Sequence, residues 1–287
     1  MKRIQQVLVA IDSSTMAEET LKRAISIAKE KSAQLIVVHV IEAPFTESPY
    51  FKSIDQVKVK EKITQQIDAL NTHAGVEYTL LIEQGKAADT ITFMAQKTSA
   101  DLLVIGSHGK DDIDRQHFGS TALKLVQHTH TPVLIVKQRR EDIYGKMIAP
   151  TNLSDYARES ILFARALFSQ TPLKYLYAFE TITPLQARTY YIGDDELDEW
   201  RKKKASDALK AMEGFVNETG EGESVLIEFS ASLNEDLLNR ITEENADLLV
   251  LGSKGVENLN SFIFGSTASF LLRRSPIDVL VYVPDSK

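Results

Sequence analysis

The sequence repeats itself, and this internal repeat limits the possible folds more than any other feature. Residues Ala100–Gly109 (ADLLVIGSHG) recur almost unchanged as Ala246–Gly255 (ADLLVLGSKG). The shorter run Gly119–Ala122 (GSTA) recurs as Gly265–Ala268, and both pairs of runs are 146 positions apart. Because two blocks recur in the same order at one spacing, the chain contains two tandem copies of one structural unit. We predict two domains, over residues 1–140 and 141–287.

Each copy alternates short apolar runs with amphipathic stretches. Several runs are apolar throughout, as expected for parallel strands that are covered on both faces. The alternation predicts an α/β fold with two tandem doubly wound, Rossmann-like parallel sheets of five strands each. The stretches 42–60 and 181–200, which contain prolines and aromatic residues, are predicted to be loops. The predicted strands lie near 5–11, 34–41, 77–83, 101–105 and 132–137, and near 145–150, 173–180, 224–230, 247–251 and 277–283.

Composition excludes several classes of function. The 287 residues are 43% hydrophobic and 25% charged, which is typical of a soluble globular protein, and they include no cysteine. Disulfides, thiol catalysis and cysteine-ligated metals are therefore excluded. The net charge of −7 argues against a general nucleic-acid or anionic-membrane surface. No apolar run is long enough to span a bilayer, and no signal-peptide pattern follows Met1, so we expect a cytoplasmic protein.

A group of glycines follows the fourth strand of each copy. Gly106 and Gly109 are followed, after nine residues, by Gly119, Ser120 and Thr121 at the start of a predicted helix. Glycines let backbone N–H groups approach a phosphate closely, and a helix N-terminus favours an anion. The alternative is a simple turn followed by a helix N-cap, and the residues alone leave both open. The second copy has the same spacing, with Gly252, Gly255, Gly265, Ser266 and Thr267.

Other polar residues support fewer hypotheses. Asp12 follows the first strand, where it can cap the next helix or bind a ribose. His39 lies in an apolar strand and is interpreted as a core histidine with a satisfied hydrogen bond. His128 and His130 lack a third ligand, so no metal site from protein residues alone is predicted. The sequence contains no triad-like set of a nucleophile, a general base and a residue that orients the base, and it contains no P-loop. No catalytic residue is therefore predicted.

The glycine spacing, downstream of a first strand that ends in Asp12, resembles the ATP-binding signature of the universal stress protein family. The resemblance covers nearly the whole chain as two tandem family domains. It implies the strand order 3-2-1-4-5 and a pseudo-dimer in which the two halves pair through their fifth strands. A homodimer of the whole chain is compatible with this arrangement. It also implies an adenine nucleotide, ATP with or without Mg²⁺, as the cofactor.

The resemblance also implies which residues bind the nucleotide. Asp12 would hold the ribose or the adenine edge, and the backbone around Val40 would meet the base. In the second half, Asn152 replaces the aspartate, and an amide accepts hydrogen bonds only through its single oxygen. The remaining site residues implied in the first half are Ala10, Gly106, His108, Gly109, Gly119, Ser120 and Thr121. Those implied in the second half are Pro150, Ala178, Gly252, Lys254, Gly255, Gly265, Ser266 and Thr267.

The function expected from these observations is a nucleotide-dependent switch in a cytoplasmic stress response, with the first half as the favoured site. Two alternatives remain open. The chain can be an enzyme, either a slow ATPase or an adenylating enzyme, or a scaffold that has lost its nucleotide. Substitution of the aspartate by Asn152 is compatible with the scaffold. The charge and the apolar runs predict neither a nucleic-acid partner nor a membrane partner.

Overall fold

The structure is a computed structural model, and it describes residues 3–42, 55–107, 118–140, 143–229, 232–253 and 265–283. The strands are β1 (Gln6–Ile11), β2 (Gln34–Ile41), β3 (Tyr78–Gln84), β4 (Leu102–Gly106), β5 (Val133–Val136), β6 (Met147–Thr151), β7 (Leu173–Glu180), β8 (Glu223–Phe229), β9 (Leu248–Gly252) and β10 (Asp278–Tyr282). The helices are α1 (Ala17–Lys31), α2 (Gln56–Asn71), α3 (Ala87–Lys97), α4 (Ser120–His128), α5 (Asp155–Leu167), α6 (Pro184–Thr189), α7 (Asp194–Thr219), α8 (Leu233–Glu243) and α9 (Ser266–Arg274).

The described residues divide into two compact units. The first holds the described chain up to Ile143 together with Ser253 and β10. The second holds the described chain from Tyr144 to Gly252 and from Gly265 to Ile277. Each unit is an α/β arrangement of mostly parallel strands, as the alternation of apolar and amphipathic runs predicts.

In the first unit the strand order is β3-β2-β1-β4-β5-β10. The first five strands are parallel and have the predicted order 3-2-1-4-5. The strand order differs from the prediction in one detail, the position of β10, which the repeat assigns to the second copy. It pairs antiparallel with β5, with Leu280 opposite Leu134, so the first unit contains six strands rather than five. In the second unit the order is β9-β6-β7-β8, all parallel.

The helices bury one apolar stripe each against these strands. In α1, Leu21, Ala24, Ile25 and Ala28 are buried at the helical spacing, and the helix packs on β1 and β4. Helix α1 packs on the central strands β1 and β4, and most residues of both strands are buried, as expected for parallel strands covered on both faces. Among the described residues, no helix combines the length and the apolar character needed to cross a bilayer.

The stretch 181–200, predicted to be a loop, contains a helix and the beginning of another. Helix α6 begins with a capping box, in which the Thr183 hydroxyl accepts from the N–H of Gln186 and the Gln186 side chain accepts from the N–H of Thr183. Pro184 occupies the first helical position, where its missing N–H costs nothing. Helix α7 then begins at Asp194. The loop prediction was wrong because it took the proline as a sign of irregular chain.

We expect Gly214→Ala to raise the free energy of unfolding of the second unit by about 0.5–1 kcal/mol. Gly214 lies in the interior of α7, it is exposed, and a Cβ placed there would have no atom within 4 Å. Alanine therefore adds helix propensity without a clash. Urea denaturation measures the difference. The reciprocal change, Ala211→Gly at another exposed position of α7, should destabilise by a similar amount.

Candidate functional site

The strand registers bring the predicted site of the first unit to one edge of the sheet. Ile11 pairs with His39, and the β1–β4 register sets Ile11 level with Gly106, which pairs with Val136. Asp12, the next residue after β1, therefore lies at the carboxyl edge of four neighbouring strands. The strand order reverses at β1, and ligands of doubly wound sheets bind in the crevice at such a point.

Asp12 is exposed and does not cap α1. Its Oδ1 accepts a hydrogen bond from the N–H of Ser14 at 2.9 Å, which closes a local turn. The N-cap of α1 is Met16, and no side chain caps that helix. The helix-cap alternative for Asp12 is therefore wrong. Its second carboxylate oxygen makes no hydrogen bond among the described residues, so it remains available to a hydroxyl or an amino group.

The N-terminus of α4 lies at the same edge. Gly119 is the N-cap, with extended rather than left-handed backbone angles (φ −58°, ψ 138°), and no side chain caps the helix. Ser120 and Thr121 therefore occupy the first two helical positions instead of the capping position. The N–H groups of Ser120, Thr121 and Ala122 make no hydrogen bond within the described chain. These three donors and the helix dipole form a surface for an anion.

Backbone hydrogen bonds hold this helix terminus at the end of the sheet. The N–H of Gly119 donates to the carbonyl of Ser107 at 2.9 Å, and the N–H of Ser107 donates to the carbonyl of Val136 at 2.9 Å. Ser107 is completely buried. The start of α4 is thereby fixed to the carboxyl ends of β4 and β5. Four predicted site residues, His108, Gly109, Lys254 and Gly255, lie outside the described residues.

The second unit forms a related but different edge. Asn152 follows β6, and its Oδ1 accepts from the N–H of Ser154 at 3.2 Å, as Asp12 does in the first unit. This bond uses one of the two lone pairs of the only accepting oxygen of Asn152, and the amide nitrogen is a donor. The turn also differs, because Leu153 adopts a left-handed conformation (φ 61°) and Ser154 caps α5.

The glycines of the second unit have two different explanations. A Cβ on Gly252 would lie 2.9 Å from the carbonyl oxygen of Tyr156, so the packing of α5 requires a glycine there. A Cβ on Gly265, the N-cap of α9, would meet no atom within 4 Å. Gly265 is exposed, whereas Gly119 is buried. Ser266 and Thr267 occupy the first two positions of α9, as Ser120 and Thr121 do in α4.

The remaining predicted residues lie in strands beside these edges. In the first unit, Ala10 is half-buried in β1, and Val40 is half-buried near the end of β2, opposite Glu83. In the second unit, Pro150 is half-buried in β6 and pairs with Leu176. Ala178 is half-buried in β7. The registers place Val40 and Ala178 one residue beyond the partners of Ile11 and Thr151, level with Asp12 and Asn152.

Two further polar residues lie at the first edge, His39, which the sequence predicted to be satisfied, and Lys137, which it did not single out. The Nδ1 of His39 donates to the carbonyl of Ile11 at 3.0 Å, which confirms a satisfied histidine. Lys137 follows β5, and its ammonium lies 5.4 Å from the ring centroid of Phe118, next to the start of α4. Burial lowers the pKa of Lys137 to about 7, although the Asp278 carboxylate opposes the shift. The sequence signal for Lys137 is its position directly after a buried strand.

The profile of the universal stress protein family matches residues 3–137 and 144–283. A universal stress protein of Methanocaldococcus jannaschii is 30% identical over 144 residues, which cover 48% of this chain and 85% of that protein. A functionally unknown protein from Pseudomonas aeruginosa PAO1 has a TM-score of 0.71 at 18% identity, with 98% of this chain and 93% of that chain covered. A universal stress protein from Archaeoglobus fulgidus DSM 4304 has a TM-score of 0.67 at 19% identity, with 98% of both chains covered.

Proposed function

Because the chain belongs to the universal stress protein family, we propose that its first half binds ATP or a related adenine nucleotide at the edge described above. Occupancy of this site acts as a switch in a cytoplasmic stress response. In this proposal residues 1–140 and 141–287 are two domains of one kind, of which the first is the stronger binder. Mg²⁺ enters, if at all, with the phosphates.

One observation carries the proposal, namely the N-terminus of α4. Three N–H donors without partners among the described residues lie there, and the Gly119–Ser107 hydrogen bond holds them at the edge where β1 ends. A phosphate group satisfies such donors and is stabilised by the helix dipole. Neither the Ser120 nor the Thr121 hydroxyl is used to cap the helix, so both are available to the same ligand.

Asp12 supports the nucleoside end of the ligand. Its second oxygen can accept from a ribose hydroxyl or an adenine amino group. Asn152 offers no second accepting oxygen, and hydrogen bonds to a charged acceptor are worth about 1.5–3 kcal/mol against about 0.5–1.5 kcal/mol for neutral ones. A difference of about 1–1.5 kcal/mol corresponds to about tenfold in affinity. The first half is therefore the tighter site.

The test places a negative charge at the first helical position of α4. We expect Ser120→Glu to weaken ATP binding by about thirtyfold or more, because the carboxylate occupies the donors and repels the phosphates. Ser120 is exposed, and an acidic residue in the first turn of a helix is favourable, so the fold is retained. Isothermal titration calorimetry of ATP measures the change. Ser120→Gln is the matched control without charge.

The same substitution in α9, Ser266→Glu, tests which half binds more tightly. We expect this variant to lose only the weaker of two ATP-binding events, or to bind ATP as the wild type does. Removal of the tighter event by Ser266→Glu would contradict the proposed asymmetry. ATP binding that is unaffected by either variant would contradict the site itself. Steady product formation by the wild-type protein that Ser120→Glu abolishes would favour the enzyme alternative over the switch.

A further inference from the structure

The outer strand of the second unit borders an open groove. Strand β8 is the last strand in the order and pairs, among the described residues, with β7 alone. A groove of about 380 Å³ runs between β8 and α8. All residues that line it belong to the second unit, and none belongs to the edge at which the nucleotide is proposed to bind.

The open edge of β8 presents a row of backbone groups. The N–H of Thr181 donates to the carbonyl of Phe229 at 2.9 Å, so the peptide groups of Phe229 point towards β7. Successive residues of a strand point their N–H and C=O groups to opposite sides. Ser224, Leu226 and Glu228 therefore direct theirs to the open side, where a further strand can pair with them.

The side chains of the groove are apolar at its floor. Lys174 forms ion pairs with Glu223 of β8 at 2.8 Å and with Glu244 at the end of α8 at 2.5 Å. Glu223 therefore lies on the face of the sheet that α8 covers. Because side chains alternate along a strand, Val225 and Ile227 lie on this face as well, and both are half-buried.

The wall of the groove is acidic. Asp236, Asn239, Arg240 and Glu243 lie at the spacing of one helical stripe along α8. Arg240 is neutralised, since it pairs with Glu243 at 3.5 Å and with Glu244 at 2.9 Å. Asp236 makes no ion pair within the described chain. The net charge of the wall is therefore negative.

We propose that this groove binds an extended segment of a partner protein as an additional strand on β8, with lysine or arginine side chains facing α8. The backbone pairing gives affinity, the floor of Val225 and Ile227 accepts apolar side chains, and Asp236 pairs with a basic one. Charge selects this occupant. A second copy of β8 would bring Glu223, which lies on the same face, towards the carboxylates of α8, and this disfavours self-pairing.

The corresponding groove of the first unit supports this assignment. A groove of about 370 Å³ is lined by residues of β1, β2, β3 and the end of α3, and it overlaps in part with the equivalent place in the repeat, through Thr79, Leu81 and Lys97. Lys97 lines it, and no carboxylate does. The preference for a basic segment therefore belongs to the second unit. The proposal does not depend on nucleotide binding.

The experiment uses the full chain and a capped, fluorescently labelled heptapeptide. The peptide has valine or lysine at its odd positions and threonine at its even positions. We expect binding by fluorescence anisotropy at about 10–100 µM, since pairing of one short strand gives modest affinity. Replacing the lysines with glutamates should weaken binding about tenfold or more. Two further peptides carry N-methyl groups on alternate backbone nitrogens. One set should abolish binding and the other should retain it, because only one set faces β8.

Protein variants locate the peptide on β8. Ser224→Pro removes an N–H that points to the open side, and proline is tolerated on such an edge. It should weaken binding about tenfold, whereas Ser224→Ala should not. Asp236→Asn should weaken binding of the lysine peptide about three- to tenfold and should strengthen binding of the glutamate peptide, because it removes a repelling carboxylate.

Three results would overturn the proposal. One is the absence of binding at millimolar peptide, and another is equal binding of both N-methylated peptides. The third is self-association of the chain, measured by sedimentation, that Ser224→Pro removes, since this would identify a second copy as the occupant. If Ser224→Pro does not fold by circular dichroism, the N-methylated peptides on the wild-type chain decide the question.

Discussion

We expect replacement of Asp278 by alanine to lower the free energy of unfolding of the first unit by about 3–5 kcal/mol. Asp278 is completely buried at the start of β10, and its Oδ1 accepts from the N–H groups of Lys137 and Gln138 at 2.7 and 3.0 Å. Its Oδ2 lies 3.5 Å from the guanidinium of Arg23, which is also buried. Alanine leaves a buried cation without this carboxylate and two N–H groups without their acceptor.

Urea denaturation of the full chain measures this loss, with intrinsic fluorescence and circular dichroism as probes. Asp198→Ala is the matched control, because Asp198 is exposed on α7 and makes no ion pair among the described residues. We expect the control to stay within about 0.5 kcal/mol of the wild type. An equally small effect of Asp278→Ala would mean that the Arg23–Asp278 pair contributes nothing to the attachment of β10.

The place of β10 could be predicted only in part from the sequence. The apolar run near 277–283 predicts a strand, and the resemblance to the universal stress protein family implies that the two halves pair through their fifth strands. The antiparallel pairing of β10 with β5 confirms this. The buried charge could not be predicted, although there was a signal. The repeat aligns Asp278 with Pro132, so a carboxylate replaces an apolar residue at the start of a core strand.

The repeat itself mixes structural and functional residues. Asp101 and Asp247 belong to the longest matching block, yet each serves the backbone. Asp101 accepts from the N–H groups of Gln5 and Gln6 at 2.8 and 3.0 Å. Asp247 accepts from the two residues before β6 in the same way. Identity between the two copies therefore does not by itself identify a ligand site. The strand registers and the N–H groups at the start of α4 that have no partner among the described residues indicate which of the repeated residues lie at a binding edge. The spacing of the glycines does not indicate this.

Identity between the two copies is also a poor guide to the role of a single glycine. The sequence interpretation gave Gly252 and Gly265 one role, because the spacing is identical in the two copies. The structure separates them, since the backbone of Tyr156 requires a glycine at position 252, whereas no described atom requires one at position 265. Close packing of a helix on a strand end depends on tertiary geometry, which a spacing pattern does not contain.

Glu244→Gln should destabilise the second unit by about 2–4 kcal/mol near neutral pH, and the loss should be pH-dependent. The carboxylate of Glu244 ends α8 in contact with three cations, Lys174 at 2.5 Å, Lys146 at 2.9 Å and Arg240 at 2.9 Å. Hydrogen bonds from Lys174 and then Lys146 lower the pKa of Glu244 to about 2. Its ordinary value is 4.5, which is the value expected in the unfolded chain.

The sign of the pH dependence follows from this lowered pKa. Above about pH 4.5 the carboxylate is ionised in both states, and its full contribution to stability is present. Between about pH 4.5 and 2 the unfolded chain binds a proton that the folded chain does not, so stability falls as the pH falls. Glutamine cannot titrate. The difference in unfolding free energy between wild type and Glu244→Gln should therefore be constant from pH 7 to 5 and shrink below pH 4.5.

Urea denaturation at pH 7, 6, 5 and 4 measures this difference. Glu243→Gln is the matched control, because Glu243 is the neighbouring carboxylate, is exposed, and forms an ion pair among the described residues with Arg240 alone, at 3.5 Å. An exposed pair of this kind contributes about 0–1 kcal/mol, so the control should show a small loss at every pH. A Glu244→Gln difference that does not change between pH 5 and 4 would show that burial of the side chain, and not its charge, holds α8 to the amino ends of β6 and β7.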